Sequence, residues 1–244
     1  MIDVNLSVAA LVRPAFAEAL GTAWLALAVI GSGIAAERLS PGDVGLQLLE
    51  NALATAAALV VIILTLGPVS GAHLNPVVTL ANRLFGRMTT AEAVAHVCAQ
   101  VVGGAFGAVV ANVMFGRSAI EVADRVRGSG PLWTSEVVAT FGLVLVVFAL
   151  VRAGRSTLAP IAVGAYIGGA YFFTSSTSFA NPAVTLARTL SDSFTGIAPS
   201  SVPAFVVAQV AGALLAVAAV RALYPSPAPP RHDSHRTLIA VHHP

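Results

Sequence analysis

Ten residues occur twice in this chain with little change. Asn75-Pro-Val-Val-Thr-Leu-Ala-Asn-Arg-Leu84 returns as Asn181-Pro-Ala-Val-Thr-Leu-Ala-Arg-Thr-Leu190. Proline suits the first turn of a helix, where its missing N–H leaves no bond unmade, and a preceding asparagine can cap that turn. Each copy therefore predicts a helix start followed by about ten helical residues, some 15 Å at 1.5 Å per residue. A bilayer core is about 30 Å thick. Two such half-helices end to end would match it; neither alone would cross it.

The surrounding sequence is that of a membrane protein. Of 244 residues, 57% are apolar and only 10% charged, against about 25% charged in soluble domains, and the mean hydropathy is +0.84. About 20 apolar residues cross a bilayer as a helix, and six stretches qualify: 14–36, 47–67, 91–115, 132–152, 157–174 and 202–223. Gly-Pro-Val-Ser-Gly at 67–71 is expected to end the second. The first is not a signal peptide, because it contains Glu18 and several similar segments follow. The expected class is an all-α membrane protein. One membrane domain is expected over 1–224, followed by a Pro- and His-containing tail over 225–244 whose composition predicts disorder.

Further repeats set the topology. Glu18 with Thr22 matches Glu136 with Thr140, and Ala99-Gln-Val-Val-Gly-Gly matches Ala208-Gln-Val-Ala-Gly-Ala. With the Asn-Pro segments, three features recur in the same order, giving repeat one over 14–115 and repeat two over 132–223. Each half holds three full spans, and an odd number inverts the second copy relative to the first. Inverted repeats with interrupted helices place a site at the midplane, between half-helix ends.

Charge excludes other classes. All thirteen basic residues are arginine, the net charge is only +2, and the arginines lie scattered at segment ends, so nothing resembles a nucleic-acid patch. An even number of spans puts eight arginines on the side of the termini and five opposite, a mild positive-inside bias that makes the terminal side cytoplasmic. Arg117, Arg125 and Arg127, between spans three and four, run against it. Cys98 is the only cysteine. His232, His235, His242 and His243 are irregularly spaced in the tail, weak grounds for a metal site, and no cluster elsewhere has ligand spacing. No nucleophile–base pair or phosphate loop marks an enzyme.

Together, Ser70-Gly-Ala-His-Leu-Asn-Pro-Val77, Asn181-Pro182-Ala183, the paired Glu-x-x-x-Thr and the paired Ala-Gln-Val-x-Gly resemble the aquaporin, or major intrinsic protein, family over about residues 14–223. The resemblance implies six transmembrane helices plus two re-entrant half-helices around one passive pore per chain. It also implies a homotetramer in the cell inner membrane, surrounded by lipid, with no cofactor and small neutral solutes as cargo. Its first box is Asn75, Pro76 and Val77; its second is Asn181, Pro182 and Ala183. The physics agrees: helix N-termini carry about half a positive charge each, so two meeting at the centre repel cations and hydronium, while the asparagine amides offer N–H donors to a passing oxygen. The alternative is that both asparagines only cap.

Glu18 and Glu136 are ionisable groups inside apolar spans, and such groups usually face the interior. Either they relay protons, as in a proton-coupled secondary transporter, or each anchors the loop of its own half; duplication and the resemblance favour the anchor. The resemblance places His73 in the cytoplasmic vestibule; a local hydrogen bond holding the loop is the alternative. His96 reads as a buried, satisfied histidine.

Counting from the boxes without a gap places the family's selectivity filter at Thr55, Gly169, Ser178 and Val184. The usual pattern has arginine three residues after the second box asparagine, and here it is Val184. Arg188, a turn further, cannot be assumed to replace it. Four small, uncharged residues imply a wide opening with two hydroxyls and one apolar wall. Tyr171, Phe172 and Phe173 either narrow it from nearby or pack against lipid and helices. A wide filter with valine for arginine resembles the aquaporins of bacterial arsenic-resistance gene clusters, which implies metalloid acids such as arsenous acid, or methylarsenicals, beside glycerol and water.

Overall fold

The structure, a computed structural model, describes residues 4–225. The His-containing tail therefore lies outside the described residues. Eight α-helices follow one another: α1 (Val4–Leu39), α2 (Val44–Ser70), α3 (Pro76–Leu84), α4 (Thr90–Met114), α5 (Gly130–Arg152), α6 (Ala159–Phe173), α7 (Pro182–Ala187) and α8 (Val202–Leu223). Six, counting α6 together with the 3-10 turn Ser156–Leu158 that leads into it, are long and apolar enough to cross a membrane. The other two, α3 with nine residues and α7 with six, are the segments that begin at the Asn-Pro pairs.

Most boundaries fall within three residues of the sequence expectation, with two informative differences. First, α1 begins at Val4 and carries Pro14 inside it. Second, α2 does end within the Gly-Pro-Val-Ser-Gly stretch, but it runs through Pro68 to Ser70. It ends where Gly71 takes φ +87° and donates its N–H to the Gly67 carbonyl, a left-handed cap that glycine adopts without a Cβ penalty.

Chain order fixes the sides. α1 begins and α8 ends on one face, here the near face; α4 and α6 end on the other, the far face. Each short helix enters from the face where the preceding long helix ends and turns back to it. At the near face Arg221 donates to the Leu84 carbonyl, joining the ends of α8 and α3. At the far face Arg38 donates to the Phe115 carbonyl, joining the ends of α1 and α4.

Small residues bring the outer helices together. A Cβ added at Gly103 or Gly107 of α4 would lie 2.1 Å from the carbonyl oxygens of Ala19 and Ala23 in α1. At the matching place in the second half, a Cβ on Gly212 of α8 would lie 2.4 Å from the Val137 carbonyl oxygen of α5. Backbones approach this closely only where the side chain is absent. Leucine, valine and phenylalanine side chains point outward in quantity, among them Phe16, Val102, Phe106, Phe172 and Val207. That is the outer surface expected against hydrocarbon.

Candidate pore and its box asparagines

The loops entering α3 and α7 are built alike. In the first, Ala72 and Leu74 have positive φ (45° and 53°); in the second, Ser178 and Ala180 do (52° and 47°). Such non-glycine conformations cost of order 1–3 kcal/mol each and persist only where the surroundings hold them.

Here the holding group is a buried carboxylate. Glu18 of α1 accepts from the main-chain N–H of His73 at 2.9 Å and of Leu74 at 2.6 Å, and from the Ser70 hydroxyl at 2.6 Å. Glu136 of α5 accepts from the N–H of Phe179 and of Ala180, both at 2.9 Å. A glutamine completes each set. Gln100 donates to Glu18 and to the Thr79 hydroxyl, at 2.7 and 3.0 Å; Gln209 donates to Glu136 and to the Thr185 hydroxyl, at 2.6 and 3.0 Å. The loop serines match too: Ser70 Oγ accepts from the Ala72 N–H, and Ser176 Oγ from the Ser178 N–H. In the sequence, Gln100 and Gln209 were visible only as a repeat; the structure gives them this bridging geometry.

The box asparagines then meet. Asn75 Oδ1 accepts from the Val77 N–H, and Asn181 Oδ1 from those of Ala183 and Val184, so both cap their helices. Their amide nitrogens reach across: Asn75 Nδ2 donates to the Ala180 carbonyl at 2.7 Å, and Asn181 Nδ2 to the Leu74 carbonyl at 2.8 Å. An amide carries two N–H donors, so each asparagine keeps one beyond this cross-bond. Pro76 and Pro182 occupy the first turns behind them. Val77 and Ala183 are buried behind the asparagines, and neither lines the cavity.

One cavity of about 750 Å³ has in its lining both asparagines, His73, Arg87, Ser156 and Thr157 toward the near face, and Ser178, Phe179, Val184 and Arg188 toward the far face. Between them the wall is mostly aliphatic, with Leu59, Val78, Leu143, Val163 and Ile167. Such a passage offers a few polar groups to a solute otherwise surrounded by hydrocarbon.

The filter positions found by counting divide. Thr55, Ser178 and Val184 all line this cavity. Gly169 does not: it is exposed on the outer side of α6, and Tyr171, two residues on, faces the cavity instead. The gap-free count fails there because α6 ends at Phe173 and an irregular stretch separates it from Asn181. Tyr171 is buried, with its hydroxyl 3.1 Å from the Thr55 hydroxyl. Phe172 and Phe173 are exposed on the outer surface. Of the three aromatics that could narrow the opening or pack, Tyr171 is therefore the one on the wall, in place of Gly169, and the Thr55 hydroxyl already has a partner. Ser178 Oγ is buried with no protein partner among the described residues.

Near the other mouth, His73 lines the cavity with Nδ1 3.1 Å from the Thr79 hydroxyl, so the lining position and the local bond coexist. Its ring lies 5.5 Å from that of His96, which is buried with Nδ1 2.9 Å from the Glu92 carbonyl.

The arginines that run against the charge bias have specific partners on the far face. Arg117, Arg125 and Arg127 donate to the carbonyls of Asp192, Phe194 and Gly196. Their segment thus clasps the loop that follows α7. There the hydrogen bond from Arg117 holds the Glu121 carboxyl below the usual carboxylate range.

Comparison with known proteins gives a consistent result. A sequence model described as major intrinsic protein matches residues 5–178 and 170–243. The chain is 47% identical over 211 residues to aquaglyceroporin AqpS of Rhizobium meliloti (strain 1021), covering 86% of this chain and 90% of that protein. It is 32% identical over 160 residues to the lens fiber major intrinsic protein of Rattus norvegicus, covering 62% and 59%. The X-ray structure of the aquaglyceroporin from Plasmodium falciparum superposes with a TM-score of 0.66 at 20% identity, covering 86% of this chain and 95% of that one. At that identity the likeness concerns the fold.

Proposed function

The chain belongs to the major intrinsic protein family, and from that premise we propose that it is a passive channel of the aquaglyceroporin type for small uncharged solutes bearing hydroxyls. Members of this family are channels, so the chain is an integral, multi-pass membrane protein and not an enzyme. The observation that carries the reading is the cavity wall. A solute such as glycerol needs an apolar face for its carbon chain and separated donors and acceptors for its hydroxyls. The lining supplies aliphatic side chains beside the amides of Asn75 and Asn181 and the unpartnered hydroxyl of Ser178.

The narrower reading extends this to metalloid acids such as arsenous acid and to methylarsenicals. These also present hydroxyls on a compact uncharged body, and Val184 supports them by leaving the wall apolar and narrow in reach where an arginine side chain would project. Assembly as a homotetramer and insertion in the cell inner membrane belong to the same proposal. The proton-coupled alternative is not favoured. Both carboxylates it would use are fully buried and committed to main-chain N–H groups and glutamine amides, and neither lines the cavity.

The test is stopped-flow light scattering on proteoliposomes under separate gradients of water, glycerol and arsenous acid. Rapid equilibration of glycerol and arsenous acid without a proton gradient is expected. Accumulation that requires a proton gradient would overturn the channel reading. Glycerol flux without arsenous acid flux would overturn the narrower one alone.

A further inference from the structure

Position 184 carries no charge, yet the far mouth does. Val184 and Arg188 stand one helical turn apart and line the same cavity. The first half has the same geometry: Val78 and Asn82, three and seven residues after Asn75, line it as well. The seventh residue after each box asparagine is thus a wall position in both halves, and in the second it is a cation.

Arg188 is 2% exposed. Its guanidinium carbon sits 3.4 Å from the centre of the Phe179 ring, and its Nε donates to the Thr195 carbonyl. Phe179 is itself fixed, by its N–H on Glu136, by an edge contact with Phe205 at 5.1 Å between centroids, and by Arg127 at 5.1 Å from the ring centre. Among the described residues no carboxylate lies within ion-pair distance of Arg188, and its Nη groups have no hydrogen-bond partner. Arginine stays charged in proteins and carries five N–H donors in a fixed fork. A buried guanidinium with one N–H bonded and no ion-pair partner among the described residues is held in place by a ring and a carbonyl, with the charges of Arg127 and Glu136 acting on it only without direct contact. Inside a membrane protein such a group faces a water-filled passage.

We propose that Arg188 is the charge filter of the far mouth, standing one turn outside the place where Val184 lines the wall. Charge and width are then set by different residues: Arg188 repels cations and offers N–H donors to an entering solute oxygen, while Val184 leaves the adjacent wall apolar and uncrowded. A cation or hydronium entering from the far face meets the full charge of Arg188 before it reaches the two half-helix N-termini. At the near mouth the residue matching Phe179 is His73 and the one matching Arg188 is the neutral Asn82; the arginines stacked on an aromatic ring there, Arg152 and Arg221 on Phe85, do not line the cavity.

This inference rests on the channel reading, and the experiment separates the two. Wild-type protein, Arg188→Gln, Arg188→Lys and the exchange variant Val184→Arg/Arg188→Val are reconstituted at equal folded protein. Proton leak is read with an entrapped pH dye under an imposed potassium–valinomycin potential, and glycerol flux by light scattering. Wild-type leak should equal that of protein-free liposomes. Arg188→Gln should raise it about tenfold, the scale of removing one nearby charge in a partly solvated site; Arg188→Lys should not raise it. The exchange variant should keep the leak low while glycerol flux falls more than water flux, because the charge now stands at the wall position. A wild-type leak above protein-free liposomes, an Arg188→Gln leak within about twofold of wild type, far inside the effect of losing such a charge, or equal leaks in the lysine and glutamine variants would overturn the inference. If Arg188→Gln does not fold, the exchange variant decides: low leak supports the assignment, and high leak in folded protein overturns it. Wild-type vesicles that pass neither water nor glycerol would overturn the channel reading as well.

Discussion

Asn75 donates its side-chain amide to the Ala180 carbonyl at 2.7 Å, across the contact between the two halves of the chain. With the reciprocal bond from Asn181 to Leu74, it makes the two box asparagines fasteners of the repeats as well as caps and pore donors. The strained loop of one half is thereby held by the helix start of the other.

Replacing Asn75 with alanine removes the cap to Val77 and the cross-bond together. Losing an N-cap costs about 1 kcal/mol, and an orphaned buried carbonyl about 1–3 kcal/mol. Asn75→Ala should lower the unfolding temperature in detergent, and Asn181→Ala should do so by a similar amount, because the bonding is reciprocal. Wild-type melting in either variant would show that the cross-bonds carry no stability.

Glu18 and Glu136 each receive donors from the loop of their own half. Hydrogen bonds to charged groups contribute about 1.5–3 kcal/mol each, so Glu18→Ala should lose most of its folded yield on fluorescence-detected gel filtration. Glu18→Gln keeps one acceptor oxygen and should recover part of it. Solute flux per folded molecule should not follow pH, because a carboxylate committed to its loop passes no proton to the solute. Flux that follows pH in wild type and is flat in Glu18→Gln would restore the relay.

Much of this design was legible in the sequence, for a physical reason. Six spans and two half-helices are written in hydropathy, length and the Asn-Pro pairs, all of them local signals. The correspondence of Glu18 with Glu136, and of Gln100 with Gln209, was visible because the sequence repeats an interior that both halves must build. The wall near Val184 was not fully legible. Counting backward from Asn181 assumes that the chain covers the intervening distance in a fixed conformation, whereas residues between Phe173 and Asn181 take an irregular path with three left-handed non-glycine residues. Two residues of error on a helix is more than half a turn, which carried Gly169 to the outer surface and Tyr171 to the cavity. Arg188 was unreadable for another reason: its position depends on Phe179 and Thr195, which adjoin it only after folding.

The close approach of α1 and α4 gives a prediction about packing. A methyl at Gly107 would fall 2.1 Å from the Ala23 carbonyl oxygen, a backbone atom that cannot turn aside. Overpacking of this kind costs about 1–3 kcal/mol. Gly107→Ala should therefore melt several degrees lower and express poorly. Gly31→Ala, where the added methyl meets only the edge of Phe115 at 3.4 Å, should behave as wild type. Equal melting of the two would mean that the helices can separate without loss.

The sharpest disagreement between counting and geometry concerns which residue of α6 limits passage. Counting points to Gly169, and a leucine there would then obstruct the pore. In the structure Gly169 lies on the outer surface of α6, so Gly169→Leu should add an apolar group on the lipid side and leave both water and glycerol flux at the wild-type level. Tyr171 is the buried residue on the cavity wall, tied to Thr55 through its hydroxyl. Tyr171→Ala removes the ring and frees the Thr55 hydroxyl, widening the passage and adding a solute partner at one stroke. Glycerol flux relative to water should rise by roughly tenfold, the scale on which one pocket group alters discrimination. Tyr171→Phe separates the two effects, since it keeps the ring and frees only Thr55; its glycerol-to-water ratio should stay close to wild type if width dominates. The measurement is osmotic water permeability and glycerol uptake on the same vesicles, normalised to folded protein. Loss of flux in Gly169→Leu with none of the expected gain in Tyr171→Ala would return the narrow point to the counted position and remove Tyr171 from the wall.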